Sequence, residues 1–377
     1  MKKLQRTLTL PTAIAISIGG MLSGIFVLPG IAVGITGSSI WLAFLVAALC
    51  ILPAVLSKSE LATAMPKSGG TYVYIERAFG PLFGTVSGLG LWLSLLLKSA
   101  FSLVGLSAYL YVVVQLDAGF SKIVALISLG LILILNVFGV KKVGNTQLAI
   151  VSISVVSLIL LIIFGVNSFD SKLLSPVFSE GNYGFISAVA FLYISYAGVT
   201  KVAAVAGEIK SPERNLPRAM LISLFLITAV YVFVALILVG NIDANILSKD
   251  IRPIYTLAQN LGGNLFGYIA GIVGVMTLLS MANSGVLASS RFPFAMARDK
   301  MLPKFFGSVS SRFLTPVNSI FVTCFIIGLA VFFLDVEKIA KLASAFKVMM
   351  FIAVNLSVIV LRETSAQWYN PCLLYTS

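Results

Sequence analysis

Residues 17–30 read SIGGMLSGIFVLPG. They lie inside an apolar run from Leu10 to Ile35. A run of that length crosses a bilayer, which takes about 20 residues. Yet it carries Gly19, Gly20, Ser23, Gly24, Pro29, Gly30 and Gly34. These residues weaken a helix where a membrane segment should be most regular. The interruption needs a physical reason.

The bulk properties set the solvent. The chain has 377 residues, is 59% hydrophobic and only 10% charged, with a mean hydropathy of +1.05. A soluble domain is about 25% charged, and a soluble core of this composition would leave large apolar patches in water. The composition therefore predicts one polytopic membrane domain. The formal net charge is +13. The basic residues fall between apolar segments rather than on one face or tail, which argues against a nucleic-acid partner. The three cysteines, Cys50, Cys324 and Cys372, have no disulfide or metal spacing, and the chain has no histidine. No cofactor is expected.

Window by window, the chain shows ten apolar spans: 10–35, 39–63, 83–114, 121–138, 145–166, 183–206, 218–240, 265–290, 316–334 and 340–361. None alternates as a barrel strand does, so all are helix candidates. The first is too long for a signal-peptide core and is followed by more spans, so it is kept as helix 1. Segments on the N-terminal side hold 17 of the 26 lysines and arginines, and those on the other side hold 6. That bias predicts both termini in the cytoplasm and insertion in the plasma (inner) membrane. The stretch DANILSKDIRPIYTLAQNLGGN, residues 243–264, reads as an outer loop with a short interfacial helix.

A second span shares the defect of the first. Span 6 contains AVAFLYISYAGVTKVAAVAG and is interrupted at Ser195, Gly198, Thr200 and Lys201. Span 1 opens the first five spans and span 6 opens the next five. Five is odd, so the two halves, about 10–166 and 183–361, would enter the membrane in opposite senses. Interrupted helices at matching places in inverted halves point to a transporter site. Backbone N–H and C=O groups freed at mid-membrane are tolerated where they line a cavity. Half-helix N-termini attract anions, and C-terminal ends attract cations. A zwitterionic amino acid suits both. The bland alternative is that small residues only let helices approach closely.

Four stretches resemble the amino acid–polyamine–organocation permease superfamily: SGIFVLPG in span 1, AMPKSGGTYVYIERAFGP at 64–81, VAGEIKSPERNLPRAM at 205–220 and LASSRFPFAMARDKMLP at 287–303. The resemblance implies an all-α, five-plus-five inverted-repeat fold of about ten helices working by alternating access, with helices 1 and 6 broken around the substrate. It implies that the substrate α-carboxylate meets amides around Ser23, Gly24 and Ile25. The α-amine would meet carbonyls near Gly20, Met21, Ile194 and Ser195, with Gly198 and Thr200 shaping the side-chain pocket. Leu22 departs from the family, which often has glycine there, and it crowds the pocket. Some relatives carry a lysine midway along helix 5; the matching region here, QLAIVSISVVSL, has none.

Three lysines fall within spans: Lys98, Lys201 and Lys347. Intramembrane ionisable groups are functional candidates by default. Lys98 lies near the centre of span 3, too deep to reach water, and is the leading candidate for a proton carrier. Its alternative is a structural lysine bonded to broken-helix carbonyls. Lys201 is a second candidate, and Lys347 reads as a residue reaching the outer surface. Asn283 and Ser284, with helix 1 carbonyls, could form a sodium site; the alternative is interhelical hydrogen bonding. Glu208, Glu213, Arg214 and Arg218 after helix 6, with Arg291, Arg298 and Asp299 after helix 8, read either as a cytoplasmic ion-pair gate or as a solvated surface. The pairing centres on Glu208, Arg214 and Arg291.

The transporter domain is expected to span 1–362. Residues 363–377 read as a cytoplasmic tail whose last residues, CLLYTS, look like a truncation or read-through scar. The leading expectation is a secondary transporter of amino acids or related amines, proton-coupled. A sodium symporter, an exchanger or a substrate sensor on the same fold are the alternatives. No P-loop supports ATP drive. Without histidine or a mid-membrane acid, the usual enzyme sites cannot be built.

Overall fold

The computed structural model describes residues 8–65, 71–114, 120–138, 143–310 and 315–364, without the side chains of 113, 114, 143–146 and 204–208. Thirteen α-helices are described: α1 Leu10–Gly19, α2 Ser23–Thr36, α3 Ile40–Ala64, α4 Thr71–Phe79, α5 Pro81–Val114, α6 Ser121–Phe138, α7 Val143–Val166, α8 Gly181–Tyr196, α9 Pro212–Asn241, α10 Ala244–Leu247, α11 Pro253–Arg298, α12 Val317–Phe333 and α13 Val336–Glu363. Among the described residues there is no strand; one isolated parallel bridge joins Leu8 to Ile209.

Eight stretches are long and apolar enough to cross a membrane, and the shorter α12 is also apolar. The first, Leu10–Ala64, has 55 residues. A straight helix of that length would run about 80 Å, more than twice the bilayer core. It is divided at Gly37, whose φ of 67° lies in the left-handed region that glycine adopts without strain. The chain is a multi-pass membrane protein.

Burial sorts the helices into an inner and an outer set. The apolar window of α5 is 83% buried, whereas those of α6 and α7 are 28% buried. On α6, Ile127, Leu131 and Leu135 point outward at four-residue spacing; Phe321 and Phe325 do so on α12. One helical face therefore offers apolar side chains to lipid. The innermost helix, α5, runs beside α11, α13, α4, α6 and α12. An aromatic cluster ties α3, α8 and α9 together: Phe44, Tyr196 and Tyr231 have ring centroids 5.0–6.5 Å apart. Such pairs contribute about 0.5–1.5 kcal/mol each beyond their area.

Several expectations are revised. The helix expected over 265–290 runs from Pro253 to Arg298. It bends at Gly262 and Gly263, and the segment before that bend is the short helix expected in the outer loop. Span 6 does not stay α-helical. After Tyr196 the chain continues as a 3-10 helix over Ala197–Glu208. Runs that long in 3-10 geometry are uncommon and mark hinges or strained sequence. Lys58, counted with the loops, lies inside α3 and is 4% exposed. Lys347, expected to reach the surface, is 2% exposed.

Candidate functional site

The candidate residues of span 1 and span 6 meet where the two spans cross. Between α1 and α2 the residues Gly20–Leu22 form one tight turn. Met21 N–H and Leu22 N–H both donate to Ile18 O, at 2.8 and 3.0 Å. Gly20 and Leu22 keep right-handed φ/ψ, so the interruption is a tightening of the helix rather than an extended gap. Gly20 meets Gly198 backbone to backbone. A Cβ on Gly198 would land on the Gly20 carbonyl, so only glycine lets the two chains approach this closely. Ser17 Oγ donates to Val199 O at 3.0 Å and fastens the same crossing.

The carbonyls of this region mostly have donors. Lys98, from α5, is 2% exposed. Its Nζ donates to Ile194 O at 2.8 Å and lies 3.4 Å from Ser195 O. Those carbonyls belong to the last turn of α8, the negative end of a helix, which is where a cation is held best. Tyr231 Oη donates to Met21 O at 2.6 Å, and Tyr109 Oη donates to Phe26 O at 2.7 Å. On the other side of the turn, Gly24 N–H donates back to Met21 O at 2.9 Å. Leu22 and Ile25 are fully buried.

Three hydroxyls are left over. The Oγ atoms of Ser23, Ser195 and Ser102 are buried and meet no hydrogen-bond partner among the described residues. A buried unpaired hydroxyl costs about 1–3 kcal/mol. Ser23 opens α2, Ser195 packs against Gly24, and Ser102 is one turn along α5 from Lys98.

The second lysine crosses the same point. The Lys201 stem lies over Gly20. Its Nζ reaches Ser284 Oγ at 3.2 Å and Met281 Sδ at 3.6 Å. Asn283 Oδ1 accepts from Asn136 Nδ2 at 2.8 Å. The two residues read as sodium ligands therefore already have partners, one of them a cation. Thr200 lines a small cavity shared with Lys58, Lys201 and Lys347.

Beyond that cavity lies the surface of the expected gate. Arg214 and Arg291 are exposed there. The Glu208 side chain lies outside the described residues. The contact that bridges segments is Tyr72 Oη donating to Asp299 Oδ2 at 2.6 Å, joining α4 to the end of α11. Burial, then the hydrogen bond and charge of Asp299, hold the Tyr72 phenol above the ordinary tyrosine range, so it stays a donor. Burial and Asp299 also raise the nearby Glu76 carboxyl. Arg298 Nε is 3.3 Å from Asp299 Oδ1. A second closure pairs Arg362 with Glu60 through two hydrogen bonds, at 3.0 and 2.5 Å.

Sequence reasoning missed Lys58, Tyr72 and the Glu60–Arg362 pair. The available signal for Lys58 was its place inside the apolar run 39–63. Tyr72 and Asp299 sat in two stretches read separately, with nothing local to join them.

Helices with apolar outer faces thus surround a close crossing of span 1 and span 6, with the Lys98 amine on the carbonyls of Ile194 and Ser195, as suits a membrane protein. The chain belongs to the amino acid permease family, whose model matches residues 12–370. It is similar to the serine/threonine exchanger SteT of Bacillus subtilis, at 28% identity over 93% of this chain and 81% of that protein. It is also similar to the branched-chain amino acid permease BcaP of Lactococcus lactis, at 27% over 96% and 83%. The vacuolar cationic amino acid transporter 4 of Arabidopsis thaliana is 26% identical over 96% of this chain and 64% of that protein.

Proposed function

We propose that this protein is a secondary active transporter of amino acids or related amines, coupled to protons and working by alternating access. The observation that carries the reading is the Lys98 ammonium on the carbonyls of Ile194 and Ser195. These are the acceptors expected for a substrate amine. Substrate and protonated Lys98 compete for one place. When Lys98 gives up its proton to water, its ammonium becomes a neutral amine and the carbonyls pass to the substrate's ammonium. The released proton and the bound substrate then belong to one cycle. Ser23 and Ser195 hydroxyls, with the Ser23 and Ile25 amides at the start of α2, take the carboxylate. Gly20, Met21, Leu22, Gly24, Gly198 and Thr200 shape the pocket.

In this reading the 55-residue first stretch makes two passes, and with α12 the passes number about ten in two inverted halves. The pairing of α5 with α11, the third and eighth passes, supports that arrangement. The 3-10 segment Ala197–Glu208 serves as the hinge. Both termini face the cytoplasm of a plasma membrane, following the basic-residue bias. Glu208, Arg214 and Arg291 belong to the face that closes, with Tyr72–Asp299 as its latch.

Sodium coupling is the second reading, resting on the hydroxyl of Ser284 beside the helix 1 turn. Lys201 already holds that hydroxyl, which favours the proton. Uptake into proteoliposomes under an outward proton gradient, the direction in which competition for one place drives accumulation, a sodium gradient, trans substrate alone, or none tests the choice. Accumulation driven by protons alone is the expected result. Accumulation that needs sodium, uptake that needs only trans substrate, or binding without uptake would replace it with a symporter, an exchanger or a sensor respectively.

A further inference from the structure

Four lysines are buried in the core. Lys58 on α3, Lys98 on α5, Lys201 after α8 and Lys347 on α13 are exposed by 4, 2, 8 and 2%. Lys98 is committed to carbonyls and Lys201 to Ser284. Lys58 and Lys347 meet no hydrogen-bond acceptor and no carboxylate among the described residues. Each has only the face of Phe351, at 6.0 and 4.6 Å from its centroid. Buried charges are normally paired. Here three lysines from three separate segments surround one space, with no carboxylate in its lining among the described residues.

That space is a cavity of about 20 Å³, lined by Lys58, Lys201, Lys347, Thr71, Thr200 and Phe292 among others. It has room for one water-sized group. Every polar side chain in its lining is an ammonium or a threonine hydroxyl, so the cavity can donate on all sides. Its place in the fold is informative. On α11, Ser284 sits at the crossing, Ala288 and Phe292 line the cavity at four-residue spacing, and Asp299 makes the latch with Tyr72. Thr71 is the neighbour of Tyr72. The cavity thus lies between the crossing of spans 1 and 6 and the latch.

We propose that Lys58, Lys201 and Lys347 form an anion site, which takes a single small anionic group such as the side-chain carboxylate of an acidic amino acid or a free halide. The inference rests on the transporter reading for its link to substrate, but the site itself stands on geometry alone. An anion here neutralises the cluster and accepts hydrogen bonds from its ammoniums. A substrate with a cationic side chain meets three like charges and is rejected.

The test has two readouts. Purified protein in detergent is heated in sodium gluconate, with equimolar sodium chloride or sodium L-glutamate as the probes. Proteoliposomes are offered labelled L-glutamate, L-serine or L-lysine, in chloride or in gluconate. The expected result is a rise in the unfolding midpoint with glutamate or chloride over gluconate, absent in Lys347→Met. In transport, either glutamate is preferred over serine by about tenfold, or serine uptake falls about tenfold without chloride, and lysine is not carried. Glutamate preference names the substrate carboxylate as the anion; chloride dependence names the halide. Transport of serine that is indifferent to chloride, with glutamate no better and no thermal shift, would overturn the anion site and leave the transporter reading standing. A thermal shift without uptake of any amino acid would keep the site and sink the transporter reading. Should Lys347→Met not fold, the wild-type anion comparison and Lys58→Gln decide alone.

Discussion

Lys98 Nζ lies 2.8 Å from the carbonyl of Ile194, at the point where α8 gives way to 3-10 helix. One side chain from the innermost helix thus caps the end of another. The last-turn carbonyls of a helix have no partner within it. Ile194 O also accepts the Ala197 backbone N–H, so Lys98 supplies its second hydrogen bond, beside the unpaired hydroxyls of Ser23 and Ser195.

Lys98→Met removes the ammonium and keeps most of the stem. It removes one of the two hydrogen bonds to Ile194 O and leaves that from Ala197 N–H, a loss of about 1 kcal/mol. The unfolding midpoint of the purified variant should fall accordingly. Proton-driven accumulation should be lost, while counterflow of substrate between equal pools persists. A variant that still concentrates substrate under a proton gradient removes Lys98 from coupling.

The contact of Gly20 with Gly198 makes the sharpest steric prediction. Gly198→Ala places a methyl group on the Gly20 carbonyl. Both atoms belong to backbone, so neither can rotate away. Overpacking costs about 1–3 kcal/mol, and the crossing must open. Uptake should be abolished and the midpoint lowered. Gly130→Ala on α6 is the control: its Cβ meets nothing within 4 Å, and replacing a mid-helix glycine gains up to about 1 kcal/mol. Equal behaviour of the two variants in uptake and unfolding would refute the close crossing.

How much of this was legible in the sequence follows from where each signal sits. SIGGMLSGIFVLPG announces an interruption because its glycines, serine and proline are local and contiguous. The depth of Lys98 is legible for the same reason: WLSLLLKSAFSLVG surrounds it with apolar residues. Its partner is not, because Ile194 is apolar and presents only a backbone oxygen. Lys347 was misread because a lysine some turns from a helix end can turn outward, and only packing of α13 against α3 and α5 sends it inward. The 3-10 stretch after Tyr196 carries Gly198 and Thr200 as a hint, yet hydropathy does not distinguish 3-10 from α. Tyr72 and Asp299 are both polar residues in polar segments, so nothing marked them as a pair.

Arg362 and Glu60 join the ends of α13 and α3, and the Glu60 side chain is only 5% exposed. Arg362→Gln takes the guanidinium away from that carboxylate. Breaking a fully buried pair costs about 3–5 kcal/mol. The Arg362 side chain is 44% exposed, so the loss here should be smaller, about 1–3 kcal/mol. The double variant Glu60→Gln with Arg362→Gln removes both charges and should recover at least half of it. Unfolding in detergent, taken as a double-mutant cycle, checks this. No recovery in the double variant means that Arg362 acts through packing of its stem rather than through its charge.

Tyr72, next to the cavity-lining Thr71, donates one charge-assisted hydrogen bond of 2.6 Å to Asp299. Such bonds contribute about 1.5–3 kcal/mol, a factor of about 10–150 in an equilibrium. Tyr72→Phe keeps the ring in its buried place and deletes only the hydroxyl. If the bond is a latch, the variant should shift toward the state in which the cavity opens beside α4. A cysteine placed at Ala288, in a background lacking Cys50, Cys324 and Cys372, reports that opening through its rate of maleimide labelling. The rate should rise about tenfold or more in Tyr72→Phe, and the midpoint of unfolding should fall only slightly. Substrate affinity measured from that side should rise with it, because fewer molecules are closed. Labelling unchanged by the substitution would assign the bond to anchoring α4 alone, and the gate would then have to be sought in the Glu60–Arg362 pair.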